Sequence, residues 1–309
     1  MADTLETRIT LLVQTVWSLL KETYQEWSTD NAPQLGAALA FYTIFSLAPI
    51  LIIIMAVVGF FLGKESVQIY LMQELTGFVG LENAKNIMHI VQRSYKPGSG
   101  LTATITAISL MLLGSTTIFV TLKNALNTMW GVKYQPAGLV NSIIDRLKSF
   151  FTVILVGLVL FLSMLISSVV AMADSFIGMY FPLPVILVQT LNTGLSLLLF
   201  TLMFALLFKV LPDVRLSWRA VGVGAGITAL LFGLGKNLLG AYLARTSVSS
   251  AYGAAGSMVV LLLWVYYSAQ IIFIGAEFTQ VYARKFGMAI EPRQGVELEA
   301  ADKSVSRFL

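Results

Sequence analysis

Few side chains in this sequence are of a type that does chemistry, and their spacing narrows the choice further. There is one histidine, His89, and no cysteine, so disulfides, iron–sulfur clusters and thiolate metal sites are excluded. A catalytic zinc site needs several His or carboxylate ligands close together, and His89 reads as a lone surface residue. No Ser/His/Asp arrangement can be assembled around it. No glycine-rich loop ending in Lys-Ser or Lys-Thr follows a strand, so no nucleotide-driven motor is encoded. The expectation is a protein that is not an enzyme and carries no metal or cofactor.

The remaining candidates are ionisable or helix-bending residues inside long apolar stretches, where polar groups are costly and are functional candidates by default. Lys236 interrupts a hydrophobic run. Its ammonium either snorkels to the outer interface or faces an internal cavity, where an anionic headgroup or Asp174 would meet it. Pro49, in Phe45-Ser46-Leu47-Ala48-Pro49, removes one backbone donor and is expected to kink its helix, with Ser46 offsetting part of the loss. Gly222, Gly224, Gly226, Gly233, Gly235 and Gly240 recur through one segment, and Ala251, Gly253, Ala254, Ala255, Gly256 and Ser257 open the next. Small side chains let helices approach closely in lipid. The sharper alternative is a segment that bends or slides as a gate, with Gly233 and Gly235 beside Lys236. Lys209, Asp213, Arg215 and Arg219 crowd one connection, and Glu277 closes the last apolar run. An inner charge network of Lys209, Asp213, Arg215 and Glu277 is expected, with Lys209 and Glu277 as a pair.

The elements that position these residues follow from composition. Of 309 residues 57% are hydrophobic and 12% charged, against roughly 25% charged in a soluble domain. Too few charges remain to cover a water-exposed surface, and lipid is the solvent that fits. A bilayer core needs about 20 apolar helical residues. Residues 31–63, 97–122, 149–173, 175–208 and 246–276 are each free of charge, and 220–235 runs 16 residues to Lys236. These give six helical spans, near 35–62, 102–122, 149–172, 184–208, 218–243 and 252–277. The runs are continuous rather than alternating, which excludes a strand-built barrel. The fold class is an all-α membrane protein, a bundle of about six transmembrane helices with an N-terminal interfacial helix and a helical outer loop.

With the N-terminus placed in the cytoplasm, 14 of the 20 basic residues fall on the inner side and six on the outer, which favours both termini inside. Residues 1–30 form an amphipathic cytoplasmic segment that lacks the features of a secretory signal. Ile9, Leu12, Val13, Val16, Trp17, Leu20 and Tyr24 recur at helical spacing. They either lie in the interface with Trp17 and Tyr24 at headgroup depth or pack on the bundle. Residues 31–283 are the membrane domain. Its outer loop, 64–100, holds two short amphipathic helices separated near Gly77–Gly80, one with Val67, Leu71, Leu75 and Phe78 on a face, the other with Ile87, Ile90 and Val91. They cap the bundle or touch an envelope partner. Residues 284–309, with Glu291-Pro292-Arg293-Gln294-Gly295 and mixed charges, read as a short mobile cytoplasmic tail.

Several stretches together resemble one family. They are Ala37-Ala38-Leu39-Ala40-Phe41-Tyr42-Thr43-Ile44-Phe45-Ser46-Leu47-Ala48-Pro49, Lys209-Val210-Leu211-Pro212-Asp213, and Ser247-Val248-Ser249-Ser250-Ala251-Tyr252-Gly253-Ala254-Ala255-Gly256-Ser257. Trp264-Val265-Tyr266-Tyr267-Ser268-Ala269-Gln270 and Gly275-Ala276-Glu277-Phe278 complete the set. Over about residues 25–285 the chain is similar to the YihY/BrkB family of bacterial inner-membrane proteins. The resemblance implies a six-span protein of the cytoplasmic membrane and links with virulence, serum resistance and, in one branch, lipid movement. It brings no catalytic residues. The tRNA-ribonuclease label the family has carried finds no basis here, since no acid/base pair and no basic surface interleaved with aromatics is present. The expected function is movement of an amphipathic envelope component such as a lipid, by a transporter or flippase-like protein with no ATPase of its own. The alternative is a non-transporting envelope-integrity scaffold that recruits partners through its outer loop. Membrane lipids are the expected partners, with an envelope protein and a second copy left open, and no nucleic acid.

Overall fold

A computed structural model describes residues 2–94, 117–132, 185–245 and 256–293. In chain order these form α1 (Ala2–Thr29), α2 (Ala32–Leu62), α3 (Lys64–Val79), α4 (Leu81–Ser94), the described part of α5 (117–129), α6 (Val185–Val210), β1 (Val214–Leu216), α7 (Trp218–Arg245), α8 (Gly256–Lys285) and β2 (Ile290–Pro292). Four of these helices, α2, α6, α7 and α8, are long and apolar enough to cross a membrane. They coincide with four of the six expected spans. Of the other two, 149–172 lies outside the described residues, as does 102–122 apart from its helical end at 117–122. The run broken by Lys236 is one uninterrupted helix, α7.

Helix boundaries follow local backbone chemistry. Asn31 takes a left-handed conformation (φ 53°) between α1 and α2, and Pro33 sits in the first turn of α2, where its missing N–H removes no helical bond. Gly63 and Gly80, both at φ 83°, end α2 and α3, a conformation that L side chains avoid. The two helices expected within 64–100 are thus present as α3 and α4, separated at Gly80, with Gly77 inside α3. Pro49 does not interrupt α2.

In space α6, α7, α8 and α2 pack in that order, α1 lies across α8, and the α3–α4 hairpin rests on α2 and reaches α8, with α3 also touching α7. The hairpin therefore caps one end of the bundle. Phe204 of α6, Phe232 of α7 and Trp264 of α8 knit the centre, with ring centroids 5.5 Å and 6.4 Å apart in succession. Outside, Phe41, Phe45, Phe60, Leu198, Leu202, Leu234 and Leu238 remain uncovered by protein, as lipid-facing side chains should. Helix α1 meets α8 through Leu19, which is not among the residues expected to line its apolar face. Leu19 packs with Phe278 and Val281 of α8, while Val13, Val16, Trp17, Leu20 and Tyr24 stay exposed.

The expected mobile tail starts too early. Ile290–Pro292 pairs antiparallel with Val214–Leu216 in the register Val214↔Pro292, Arg215↔Glu291, Leu216↔Ile290. Val214 and Leu216 are buried while Arg215 is exposed, the period-2 pattern of a strand. Residues 294–309 lie outside the described ones.

Gly80→Val should lower stability by roughly 1–3 kcal/mol, the typical strain of a side chain in so sparsely populated a region. Gly194→Val, at a helical glycine with open space around it, should not. Thermal unfolding of the purified protein, followed by loss of monodisperse elution, separates the two.

Candidate functional site

The contact that positions everything else is the seam between α7 and α8. Thr228 donates its hydroxyl to the Gly224 carbonyl at 2.7 Å, and Thr279 donates to the Gly275 carbonyl at 2.6 Å. Each threonine fills the space over the other helix's glycine, so that a Cβ on Gly224 would overlap Thr279 and one on Gly275 would overlap Thr228. Further along, a Cβ on Gly235 would meet Tyr267 Oη at 2.5 Å and Ile271 Cδ1 at 2.9 Å. Rising numbers on α7 thus meet falling numbers on α8, and the helices are antiparallel. Both threonines are fully buried, and their hydroxyls are satisfied within their own helices, so neither leaves an orphaned donor at the contact.

Of the candidate gating residues, Gly235 is a packing residue and Gly233 faces open space. Lys236 is half-buried, and its Nζ lies 3.9 Å from where a Cβ on Gly77 would stand. The cation is therefore at the lid end of α7, under α3. Near Pro49, Ser46 is fully buried and its hydroxyl has no hydrogen-bond partner. It does not offset the backbone donor that Pro49 lacks, contrary to expectation.

The expected inner charge network divides in two. Asp213 pairs with Lys123 of α5 at 2.9 Å, and Lys123 is buried. The Asn127 side chain holds the same residue twice, donating to Asp213 Oδ2 at 2.9 Å and accepting from Asp213 N at 2.8 Å. Arg293 donates its backbone N–H to the Asp213 carbonyl at 2.9 Å and its guanidinium to the carbonyls of Lys209 and Val210, capping the end of α6. Lys209 donates to the Leu216 carbonyl and lies 5.2 Å above the Trp218 ring. Arg215 is exposed on β1 opposite Glu291. Lys209 and Glu277 do not pair. Lys209 is turned into the β1 connection, and Glu277 is turned toward the α1–α2 turn.

There α1, α2 and α8 meet. Gln270 accepts from Trp27 Nε1 at 3.1 Å and donates to the Ala32 carbonyl at 3.3 Å, while Arg284 bridges Glu26 at 2.7 Å. Glu277 is fully buried with neither oxygen reached by a donor, and among the described residues Asp30, Glu26 and Arg284 are the ionisable groups near it. Sequence reasoning missed Asp30, Lys123, Asn127, Arg293 and both threonines. Only the threonines carried a signal, the matched spacing Gly224…Thr228 and Gly275…Thr279.

Four apolar spans around a glycine–threonine seam, with charge toward the two ends among the described residues, define a polytopic α-helical membrane protein. Residues 23–297 match the family described as Virulence factor BrkB, and the chain belongs to that family. Among its relatives are UPF0761 membrane proteins of Ralstonia nicotianae, 26% identical over 80% of this chain and 54% of the relative, and of Paraburkholderia xenovorans, 28% identical over 87% and 61%. One from Tolumonas auensis is 38% identical over 30% of the chain. The chain spans a little over half the length of the first two. No solved structure matches it.

Gly224→Leu should overpack the seam and cost at least the roughly 1–3 kcal/mol of an overfilled core, whereas Gly222→Leu, facing open space, should change stability by less than about 0.5 kcal/mol. Asp213→Ala removes the ion-pair partner of buried Lys123. Its cost should fall near the lower end of the roughly 3–5 kcal/mol for breaking such a pair, because Asp213 is partly exposed. Thermal unfolding in a fixed detergent checks all three.

Proposed function

We propose that this protein moves an amphipathic envelope component, a lipid with an anionic headgroup, across the bacterial cytoplasmic membrane with no ATPase of its own. The observation that carries the reading is Lys236, a half-buried cation within a membrane helix, beneath the α3 lid beside Gly77. An ionisable residue inside a membrane helix is a functional candidate by default, and an anionic lipid headgroup entering under α3 would meet this one. The uncovered Trp17 and Tyr24 on α1 suit headgroup depth. The excess of basic residues on the side of both termini supports a cytoplasmic location for them, which puts Lys236 toward the outer face.

A second reading has its own observation. Ile69 and Leu81 on the α3–α4 hairpin are 68% and 54% exposed, which suits a non-transporting envelope-integrity scaffold that recruits a protein partner there. Deleting 67–91 should then abolish the envelope phenotype, and a normal phenotype would count against it.

The deciding experiment is headgroup translocation of labelled phospholipid in proteoliposomes. Wild type should move lipid well above empty liposomes, and Lys236→Leu should lose most of that rate while eluting as a folded protein. Equal rates in wild type and variant would remove Lys236 from the route, and no movement by folded wild type would favour the scaffold.

A further inference from the structure

The α3–α4 hairpin holds a cleft of its own, about 250 Å³ in volume, lined by Gln68 and Met72 of α3 and by Lys85, Met88 and His89 of α4. Local spacing builds it. Gln68 and Met72 are four residues apart, as are Lys85 and His89, so each pair stands on one face of its helix. The turn at Gly80 folds the two helices against each other and brings those faces together. Met88 is buried and Met72 half-buried, while Gln68, Lys85 and His89 are exposed. The cleft thus has a thioether floor and a polar rim. It is separate from the place where Lys236 lies. Gly77, the α3 residue beside that ammonium, stands five positions after Met72, about 140° round a helix of 3.6 residues per turn.

The rim is uncommitted. Among the described residues, no hydrogen bond or ion pair engages the side chains of Gln68, Lys85 or His89. The carboxylates of the hairpin, Glu65, Glu74 and Glu82, do not line the cleft. Lys85 brings a positive charge with three N–H donors, the Gln68 amide brings two more, and the His89 imidazole at least one. Such a set suits an anion with several acceptor oxygens, and lysine is a common phosphate binder. Two thioethers and an imidazole are also ligands for Cu(I), but the Lys85 ammonium on the same rim opposes a cation. Size narrows the choice again. The cleft is smaller than the roughly 300–1,000 Å³ of pockets that enclose drug-sized ligands, so it fits a headgroup rather than a whole amphiphile. Methionine adapts its shape to irregular apolar surfaces, which suits the floor to the carbon atoms of such a group.

We propose that the α3–α4 cleft binds a phosphate ester. Lys85, His89 and Gln68 donate to the phosphate oxygens, and Met72 and Met88 pack against the carbon atoms of the ester. A soluble organic phosphate and the headgroup of an anionic phospholipid share this chemistry. Binding is non-covalent and leaves the ester unchanged. The site rests on the cleft alone, and it stands whether or not the protein moves lipid.

His89 is the one histidine of the chain, so its imidazole gives a single reporter on the rim. The test follows that ¹³C-labelled imidazole by NMR in the full chain, held in phosphatidylcholine nanodiscs at one pH and matched ionic strength. Glycerol 3-phosphate should shift the His89 signal saturably. Lys85→Gln should raise the half-saturating concentration by about tenfold, the typical loss for a hydrogen bond to a charged group. Lys21→Gln, which removes an exposed cation from α1, should leave it unchanged. Lys85 is exposed, so its variant keeps the fold. A second series replaces part of the phosphatidylcholine with phosphatidylglycerol. A response to glycerol 3-phosphate alone assigns a soluble ester, a response to phosphatidylglycerol assigns a lipid headgroup, and either supports the site. No saturable shift with either one, an equal shift with acetate, or equal weakening in Lys85→Gln and Lys21→Gln would overturn it. A shift with Ag⁺, the redox-stable stand-in for Cu(I), and none with the phosphates would overturn it in favour of a soft-metal site.

Discussion

The structure depends on how closely α7 and α8 approach. In lipid, apolar side chains gain little by leaving one hydrocarbon environment for another, so helices hold together through packing and the few polar contacts they can satisfy. Gly224 and Gly275 remove the side chains that would keep the axes apart, and Thr279 and Thr228 fill the space with atoms. Because each hydroxyl bonds to its own helix, the fit adds contact without leaving a donor stranded. This pair of helices is the spine on which α6 and α2 lean from either side.

An antiparallel spine separates the ionisable groups by its geometry. Lys236, late on α7, is carried to the end capped by α3, and Glu277, late on α8, is carried to the end where α1 crosses. Between them lie Phe204, Phe232 and Trp264, an aromatic centre with no ionisable group of its own. The protein thus holds a cation beneath α3 at one end and a buried acid at the other. The β1–β2 ribbon and the Lys123–Asp213–Asn127 cluster anchor the acidic end, and Arg293 closes the last carbonyls of α6.

The spans were legible because hydropathy is a local property, and a charge-free run such as 31–63 announces a membrane helix without reference to any partner. The α3–α4 hairpin was legible for the same reason, through helical periodicity and Gly80. Pairings are different, since they depend on which faces the tertiary structure brings together. Lys209 and Glu277 suggested a pair because both stand near ends of spans, yet the β1 connection takes Lys209 for the Leu216 carbonyl and the Trp218 ring. Asp213 finds Lys123, 90 residues earlier in the sequence. Glu291-Pro292-Arg293 looked mobile because charge and proline weaken a strand signal, and only the buried edges of Val214 and Leu216 make pairing worthwhile. The glycines of α7 were visible as a group, but not which of them pack: Gly224 and Gly235 do, while Gly222 and Gly233 face open space.

The seam is tested most directly by cross-linking, for which a chain without cysteine needs no background removed. Gly224→Cys combined with Thr279→Cys, and separately Thr228→Cys combined with Gly275→Cys, should each form an intramolecular disulfide in native membranes under mild oxidation. Gly235→Cys with Thr279→Cys, three turns out of register, should not. Cross-linking confined to the out-of-register pair, or absent from both seam pairs in folded protein, would contradict the antiparallel glycine–threonine contact on which the separation of Lys236 and Glu277 rests.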